Sequence, residues 1–337
     1  MVPRGYVCCR ASEPPAFDGR LADGAWRDAL WTEDFLDIEG GLRPAPRFRT
    51  RAKMLWDDDF FYLAAEMEEP HVWATLTEHD SVIFQDPDFE VFLDPDGDNH
   101  NYYEIEINAL GTVWDLRLVK PYRDGGPALN EWHVPGLQKA VHVGGTLNDP
   151  SDTDRGWTVE LALPWTVLAE YAGRPTPPQG GDQWRVNFSR VEWDVTVEDG
   201  RYVKVPDTPE HNWVWSPQGV IDMHRPERWG YVQFSRDTPG TAPFRPDPSA
   251  PARDLLMDVY HAQHAHRQAH GQWAETLSVL RPLPSSPFLS SLQMTTTPGG
   301  FTATVTYDTE TGPQRLHVRA DSRLWSDDLP LVSRFHS

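Results

Sequence analysis

Apolar and polar residues alternate along much of the first 235 residues, with the period of two that is typical of β-strands. The clearest run covers residues 102–109, where one side carries Tyr103, Ile105 and Ile107. The other side carries Tyr102, Glu104, Glu106 and Asn108. Further runs of this kind cover residues 47–55, 60–67, 89–93, 112–118, 139–143, 156–163, 183–193 and 229–234. The pattern predicts a mostly β protein.

The character of the sequence changes after residue 238. Residues 239–251 are rich in proline, which is typical of a linker. Residues 252–280 show the longest helical pattern of the chain, and two alternating runs near the C-terminal end predict a hairpin. We therefore expect a β-sandwich over residues 1–238, a linker over 239–251 and a small α+β appendage over 252–337.

Composition narrows the range of partners. The chain has 337 residues and a formal net charge of −21, which would repel a phosphate backbone, so we expect no nucleic-acid partner. Its 31 prolines suit loops and strand edges. Its 15 tryptophans exceed the needs of packing, and a flat apolar ring with one N–H donor suits a ligand platform.

The two cysteines, Cys8 and Cys9, are adjacent, so we expect no disulfide framework. No stretch approaches the roughly 20 apolar residues of a membrane span, and we expect no membrane partner. Residues 1–10 contain no apolar run of signal-peptide length, which favours a cytoplasmic protein as the sequence stands. A truncated or misassigned start would make the protein extracellular. The oligomeric state stays open.

Several short motifs follow one another in a fixed order. They are Phe17-Asp18-Gly19, Asp23-Gly24-Ala25-Trp26, Met54-Leu55-Trp56-Asp57, Phe61-Tyr62-Leu63, Asp88-Phe89-Glu90-Val91-Phe92-Leu93-Asp94, Gly156-Trp157-Thr158-Val159-Glu160, Pro164-Trp165, Trp184-Arg185-Val186-Asn187-Phe188 and Trp229-Gly230. In this order the chain resembles a family 9 carbohydrate-binding module over about residues 13–235, and most of all the stand-alone branch of that family. The resemblance implies a jelly-roll-like β-sandwich of two antiparallel sheets.

The same resemblance implies a sugar site. Sugar-binding members of the family hold a terminal sugar between two aromatic side chains and bind its hydroxyls through acidic and amide groups. In this chain one aromatic position falls on or near Phe84, the acidic partner falls on Glu90, and Glu106 stands where an arginine is expected. The second aromatic position lacks a large ring, and the residues near it are Met223, His224, Trp213 and Trp215.

The alternation itself places three glutamates together. Glu90, Glu104 and Glu106 on neighbouring strands are expected to share one sheet face, where ionised carboxylates accept hydrogen bonds from hydroxyls. The alternative is an ordinary solvated sheet face. Three carboxylates on adjacent strands repel one another unless Arg117, Arg190, a metal or a ligand pairs with them.

Aromatic residues in or beside the predicted loops complete the candidate site, because their faces stack on the C–H patches of sugars. The alternative for each tryptophan is a place in the core of the sandwich. We predict as ligand-binding residues Phe84, Glu90, Tyr102, Glu104, Glu106, Asn108, Trp114, Arg190, Trp213, Trp215 and His224.

A short acidic loop is a candidate metal site. Asp94, Asp96 and Asp98 alternate with turn-forming residues, and alternating oxygen ligands in a turning loop suit a structural Ca²⁺. The alternative is a hairpin loop built from good turn formers. We expect no other cofactor.

Three functions remain after this reading. The first is carbohydrate binding, by aromatic stacking and carboxylate hydrogen bonds. The second is a glycoside-active enzyme in which Glu90 and Glu104 act as the catalytic pair. The third is an interaction protein that has lost sugar binding.

Overall fold

The computed structural model describes residues 2–22, 24–280, 282–309 and 312–327. Its strands are β1 (Gly5–Arg10), β2 (Leu36–Asp37), β3 (Thr50–Trp56), β4 (Phe60–Glu68), β5 (Asp88–Asp94), β6 (Tyr102–Asn108), β7 (Val113–Leu118), β8 (Ala128–Leu129), β9 (Gln138–Val143), β10 (Gly156–Pro164), β11 (Gln183–Glu192), β12 (Val195–Glu198), β13 (Arg201–Lys204), β14 (His211–Val214), β15 (Gly230–Ser235), β16 (Gln293–Thr297), β17 (Gly300–Thr309), β18 (Gly312–Arg319) and β19 (Leu324–Ser326). Its α-helices are α1 (Gly24–Asp28), α2 (Trp165–Leu168) and α3 (Ala250–His270). No helix within these residues is long and apolar enough to span a membrane.

Among the described residues, thirteen strands form one hydrogen-bonded sheet. Its order is β8-β7-β6-β5-β11-β15-β1-β3-β4-β10-β9, with β14 paired to β11 and β2 to β14. Most pairs are antiparallel, but β1 runs parallel to both β15 and β3 and so joins the two halves. The protein is mostly β, as predicted. Two separate antiparallel sheets are not confirmed, because the sheet is continuous and mixed.

This sheet is curled around a hydrophobic core. Phe89, Ile105 and Phe188 come from β5, β6 and β11, and Met54 and Phe61 come from β3 and β4. All five side chains are fully buried in one cluster. Burial of each such side chain contributes roughly 1.5–3 kcal/mol, so the core stabilises the position of every strand that supplies one.

The alternation predicted for β6 is confirmed. Tyr103, Ile105 and Ile107 all enter the core cluster. The side chains of Glu104 and Glu106 therefore leave the opposite face of the same strand, beside those of the neighbouring β5 and β11.

Contacts divide the chain into two compact units. The first contains the described residues of 1–96, 101–119 and 127–244, and the second those of 97–100, 120–126 and 245–337. These units differ from the predicted boundaries at 238 and 251, because two loops between strands of the large sheet bond within the second unit. Residues 328–337 of the predicted appendage lie outside the described residues.

The second unit consists of α3 and a four-stranded antiparallel sheet in the order β16-β17-β18-β19. Leu255 and Val259 of α3 share a buried cluster with Val305 and Val318 of the sheet. The helix ends at Gly271, whose φ of 76° is left-handed and whose N–H donates to the carbonyl of Arg267. Of the two loops, one donates from the Asn99 amide to the Ser322 carbonyl (2.9 Å), and the other accepts from Tyr260 at Asp124 (2.6 Å).

One glycine in β10 allows this strand to approach β4 closely. Gly156 has a φ of 134°, and a Cβ added there would meet the carbonyl oxygen of Met67 at 2.0 Å. We expect Gly156→Ala to lower the free energy of unfolding by about 1–3 kcal/mol or more, through backbone strain and overpacking. Urea unfolding measures this change in the free energy of unfolding. Gly41→Ala is the matched control, since nothing lies within 4 Å of its Cβ position, and we expect a change within about 0.5 kcal/mol. Equal effects of the two substitutions would contradict this account.

Candidate functional site

Four carboxylates meet on the face of the sheet that turns away from the core. Asp88 and Glu90 lie two residues apart on β5, and Glu104 and Glu106 lie two apart on β6. Because side chains two apart on a strand share a face, and because Glu90 is directly opposite Glu106, all four lie on one patch. We call these four residues the carboxylate cluster. Oxygens of Asp88, Glu90 and Glu106 lie within 4.8 Å of one another.

The carboxylate cluster is buried. Asp88 is 0% exposed, Glu106 1%, and Glu90 and Glu104 5% each. The expected solvated or open face is therefore wrong, and the structure shows the reason. The turn Ile83–Gln85 lies over β6, where the Phe84 N–H donates to Glu106 Oε2 (3.0 Å).

Few groups neutralise the cluster. Within the described part of the chain, two backbone N–H groups donate to it: Val191 to Asp88 Oδ1 (3.3 Å) and Phe84 to Glu106. No Arg, Lys or His of that part forms an ion pair with any of the four. Asp88 Oδ2 is buried and has no hydrogen-bond partner. A buried polar atom without a partner is rare in native proteins and calls for an explanation.

Burial changes the acidity of these groups. Loss of solvent raises the pKa of Glu90 to about 7. Burial, and after it the nearby Glu90 carboxylate, raises the pKa of Asp88, Glu104 and Glu106 well above their usual range. The cluster can therefore hold protons near neutral pH, or, when ionised, bind a cation or accept hydrogen bonds from hydroxyls.

Aromatic rings border the cluster. Phe84 and Trp114 are both partly exposed, and Trp114 is directly opposite Glu106 in the pairing of β6 with β7. Tyr102 and Trp229 are fully buried beside them, with ring centroids 5.1 Å apart. The Tyr102 hydroxyl lies 3.0 Å from Nδ1 of the partly exposed His224. Phe84, Trp114 and His224 are thus the predicted ring-bearing residues that a ligand can reach.

Two predicted tryptophans lie elsewhere. Trp213 is on β14, and Trp215 follows that strand. Both belong to the hydrophobic core, where Trp215 is fully buried and packs on Phe188 with ring centroids 5.9 Å apart. The prediction that they bind ligand is wrong, because the pairing of β14 with β11 places both rings against the core.

Arg190 is also on the opposite side of the sheet. Its neighbour across the sheet is Phe89, a core residue, whereas Glu90 is opposite Ser189. Arg190 Nη2 binds Glu69 at 2.5 Å and Glu192 at 2.8 Å. Arg190 therefore belongs to a buried structural ion-pair group and is not a ligand-binding residue.

Asn108 lies on the same face as the cluster, but its side chain stabilises a turn. Its amide donates to the Leu76 carbonyl and to Asp86, and its side-chain oxygen accepts from the N–H groups of Leu110 and Thr112. These four hydrogen bonds use the full capacity of the side chain for donation and acceptance. The prediction that Asn108 binds ligand is therefore wrong.

The acidic loop after β5 is the predicted calcium site. Asp94 and Asp96 belong to the first unit and Asp98 to the second. Asp98 Oδ2 binds Arg323 at 2.9 Å within the second unit. A calcium ion on these three aspartates stays a prediction.

Sequence reasoning missed Asp88 as a site residue. The signal was present, because Asp88 precedes Glu90 by two positions and so falls in phase with it on β5. The packing of Trp229 beside the cluster was not visible in the sequence, since it joins distant segments: the centroids of the Trp229 and Phe92 rings are 5.5 Å apart.

The fold and this face define a class of protein, a β-rich module with a polar, ring-bordered strand face. A family model described as "Carbohydrate family 9 binding domain-like" matches residues 17–232, which is more than half of the chain. The chain belongs to this family.

Solved structures resemble the chain at low identity. A putative carbohydrate-binding protein from Bacteroides uniformis ATCC 8492 is 16% identical with a TM-score of 0.51, over 69% of this chain and 99% of that one. A family 9 module from Caldicellulosiruptor kristjanssonii is 15% identical in its complex with cellotriose (TM-score 0.44) and 14% in its complex with glucose (TM-score 0.45). Each covers 72% of this chain and 100% of its own. No curated protein matches the chain.

The raised pKa values predict how stability depends on pH. With a chelator present, we expect the free energy of unfolding to fall as the pH rises from about 5 to about 8. The unfolded chain releases a glutamate proton near pH ~4.3, whereas folded Glu90 keeps it to about pH 7. Between these values the folded state binds more protons, so raising the pH favours unfolding, by about 3 kcal/mol for Glu90 alone.

Urea unfolding at a series of pH values measures this dependence. Glu90→Gln should make the curve less steep, because one of the four buried titrating carboxyl groups is gone. Glu131→Gln changes an exposed glutamate outside the cluster and should leave the curve unchanged. A stability that rises across this pH range would contradict the assignment.

Proposed function

We propose that this protein binds a carbohydrate, and that a mono- or oligosaccharide docks at the carboxylate cluster. The observation that carries the proposal is the coincidence of two facts. The family model spans the strands that build the cluster, and partly exposed aromatic residues border that cluster. Sugars present hydroxyl donors and apolar C–H patches together, so they match a site that offers acceptors beside rings.

Three partly exposed rings and two buried carboxylates each have a part in this mode of binding. Phe84 and Trp114 supply ring faces on which a sugar ring stacks. Glu90 and Glu104 are the cluster members with the larger residual exposure, and they accept hydrogen bonds from sugar hydroxyls. His224, held by Tyr102, adds a ring nitrogen at the border.

Glycoside hydrolysis is the second candidate function. A carboxyl group with a pKa near 7, as at Glu90, suits a general acid at neutral pH, and Glu104 on the neighbouring strand supplies a second carboxyl group. If the wild type releases product from aryl glycosides and Glu90→Gln does not, the protein is a glycoside hydrolase. If sugar binds without turnover, the protein is a carbohydrate-binding protein.

We expect calorimetric titration with glucose and with cellotriose, one monosaccharide and one oligosaccharide, to show saturable binding to at least one. Trp114→Ala should weaken it about tenfold or more, since a stacked ring gives roughly 0.5–1.5 kcal/mol beyond the area it buries and about 1.4 kcal/mol is a factor of ten. A glycan array extends the search to other sugars.

Trp31→Ala is the matched control. Trp31 is also partly buried, and it packs on Arg51 and Lys53 of β3 rather than at the cluster. Its removal should leave sugar affinity unchanged. If no sugar on the array binds the folded wild type, the proposal is wrong and the interaction-protein hypothesis takes its place.

A further inference from the structure

We propose that Asp88, Glu90 and Glu106 form a binding site for one divalent cation, of which calcium is the best match, and that this cation binds sugar hydroxyls directly. The cation site rests on the geometry of the three carboxylates alone. Its contact with sugar rests also on the proposed function.

The spacing of the oxygens fits one ion. Calcium binds its oxygen ligands at 2.3–2.6 Å, so two ligands of one ion lie at most about twice that distance apart. One oxygen from each of Asp88, Glu90 and Glu106 lies within 4.8 Å of the others. A single calcium ion can therefore contact all three.

The unpartnered oxygen of Asp88 points to a missing partner. Asp88 is 0% exposed, and its Oδ2 receives no hydrogen bond from the described residues, while Oδ1 receives one from Val191 at 3.3 Å. An unsatisfied buried oxygen destabilises the folded state, and more so when it is charged. A bound cation would satisfy Oδ2 and remove this cost.

The charge of the cluster supports the same conclusion. No basic side chain of the described residues pairs with the cluster, although buried carboxylates are normally paired, protonated or bound to a metal. A second group of buried acids shows the contrast. Glu69 and Glu192 both bind the buried Arg190.

The nature of the ligands selects calcium. Three carboxylates offer only oxygen, which disfavours zinc, an ion that prefers nitrogen and sulfur ligands. Magnesium demands a near-ideal octahedron and keeps several waters, whereas calcium accepts six to eight oxygens in flexible geometry. Three carboxylates leave calcium positions unfilled, and adjacent hydroxyls of one sugar ring can fill two of them.

The open positions lie toward the border of the site. Asp88 and Glu106 are the most buried ligands, and Glu90 retains some exposure beside Glu104. Trp114 lies directly opposite Glu106, so a sugar that stacks on its ring would be next to a ligand of the ion. Glu104, which is not needed as a ligand, can then accept a hydrogen bond from one of the bound hydroxyls.

The first experiment measures calcium binding without sugar. Chelator-treated, full-length protein is titrated with CaCl₂ at pH 8, where protons compete least. We expect one site that is weakened at least tenfold in Asp88→Asn and in Glu106→Gln, each checked for its fold by circular dichroism. Glu131→Gln should bind calcium like the wild type.

Other results of this titration overturn the cation site. Absence of calcium binding in the folded wild type does so. So does a calcium site that is lost in Asp96→Asn and kept in Asp88→Asn, since that result assigns the ion to the acidic loop after β5.

The second experiment titrates sugar with calcium and with chelator. We expect the affinity for a sugar that binds to fall at least tenfold in chelator, and to fall equally in Asp88→Asn with calcium present. Sugar binding that is unchanged by chelator overturns the contact between cation and sugar and leaves the proposed function intact. Calcium binding with no sugar binding overturns the proposed function and leaves the cation site intact.

Discussion

The pairing of β5 with β6 places Glu90 directly opposite Glu106, and the rest of the site depends on this contact between like charges. Ionised carboxylates in direct opposition on a sheet repel each other, and burial under the turn Ile83–Gln85 increases the cost. The register cannot slip to relieve it. A shift by one residue would move Phe89 and Ile105 out of the core. The hydrophobic core thus holds the carboxylates together against their own repulsion.

The two faces of β11 resolve the same electrostatic difficulty differently. On the core side, Glu69 and Glu192 are buried, and Arg190 binds both through short charge-assisted hydrogen bonds. On the other side, no arginine in the described part of the chain pairs with Glu90 or Glu106. The comparison lies within one protein and one sheet, so a general tolerance for buried acids does not explain it. On the second face the described residues supply no such partner, and protonation or the proposed cation would account for that difference.

The local alternation of apolar and polar residues was enough to predict most strands, and to predict which side chains of β6 lie on the face of the site. The alternation of β6 separates Tyr103 from Glu104 without any knowledge of the fold, because side-chain direction in a strand depends on parity alone. Burial of the polar side was not predictable in this way, since it depends on Phe84 and Trp229, which are distant in sequence. The parallel strand β1 was not predicted from the sequence, for a related reason. Its short run of Tyr, Val and two Cys lacks clear alternation, and its position is set only by pairing with β15 and β3.

The roles of Trp213 and Trp215 show where a family resemblance can mislead. A missing ring at one position suggested that a nearby tryptophan replaces it, yet proximity along the chain does not determine the face on which a side chain lies. The pairing of β14 with β11 does, and it places both rings in the core. The face of the cluster retains Phe84 and Trp114 as accessible rings, with His224 near the second aromatic position. If a sugar binds here as proposed, stacking on Phe84 and Trp114 would combine with hydrogen bonds to the carboxylate cluster, whose charge would be balanced by protons or by a cation. Because protons and the proposed cation would compete for the same oxygens, the charge of the proposed sugar site would depend on which of the two is bound.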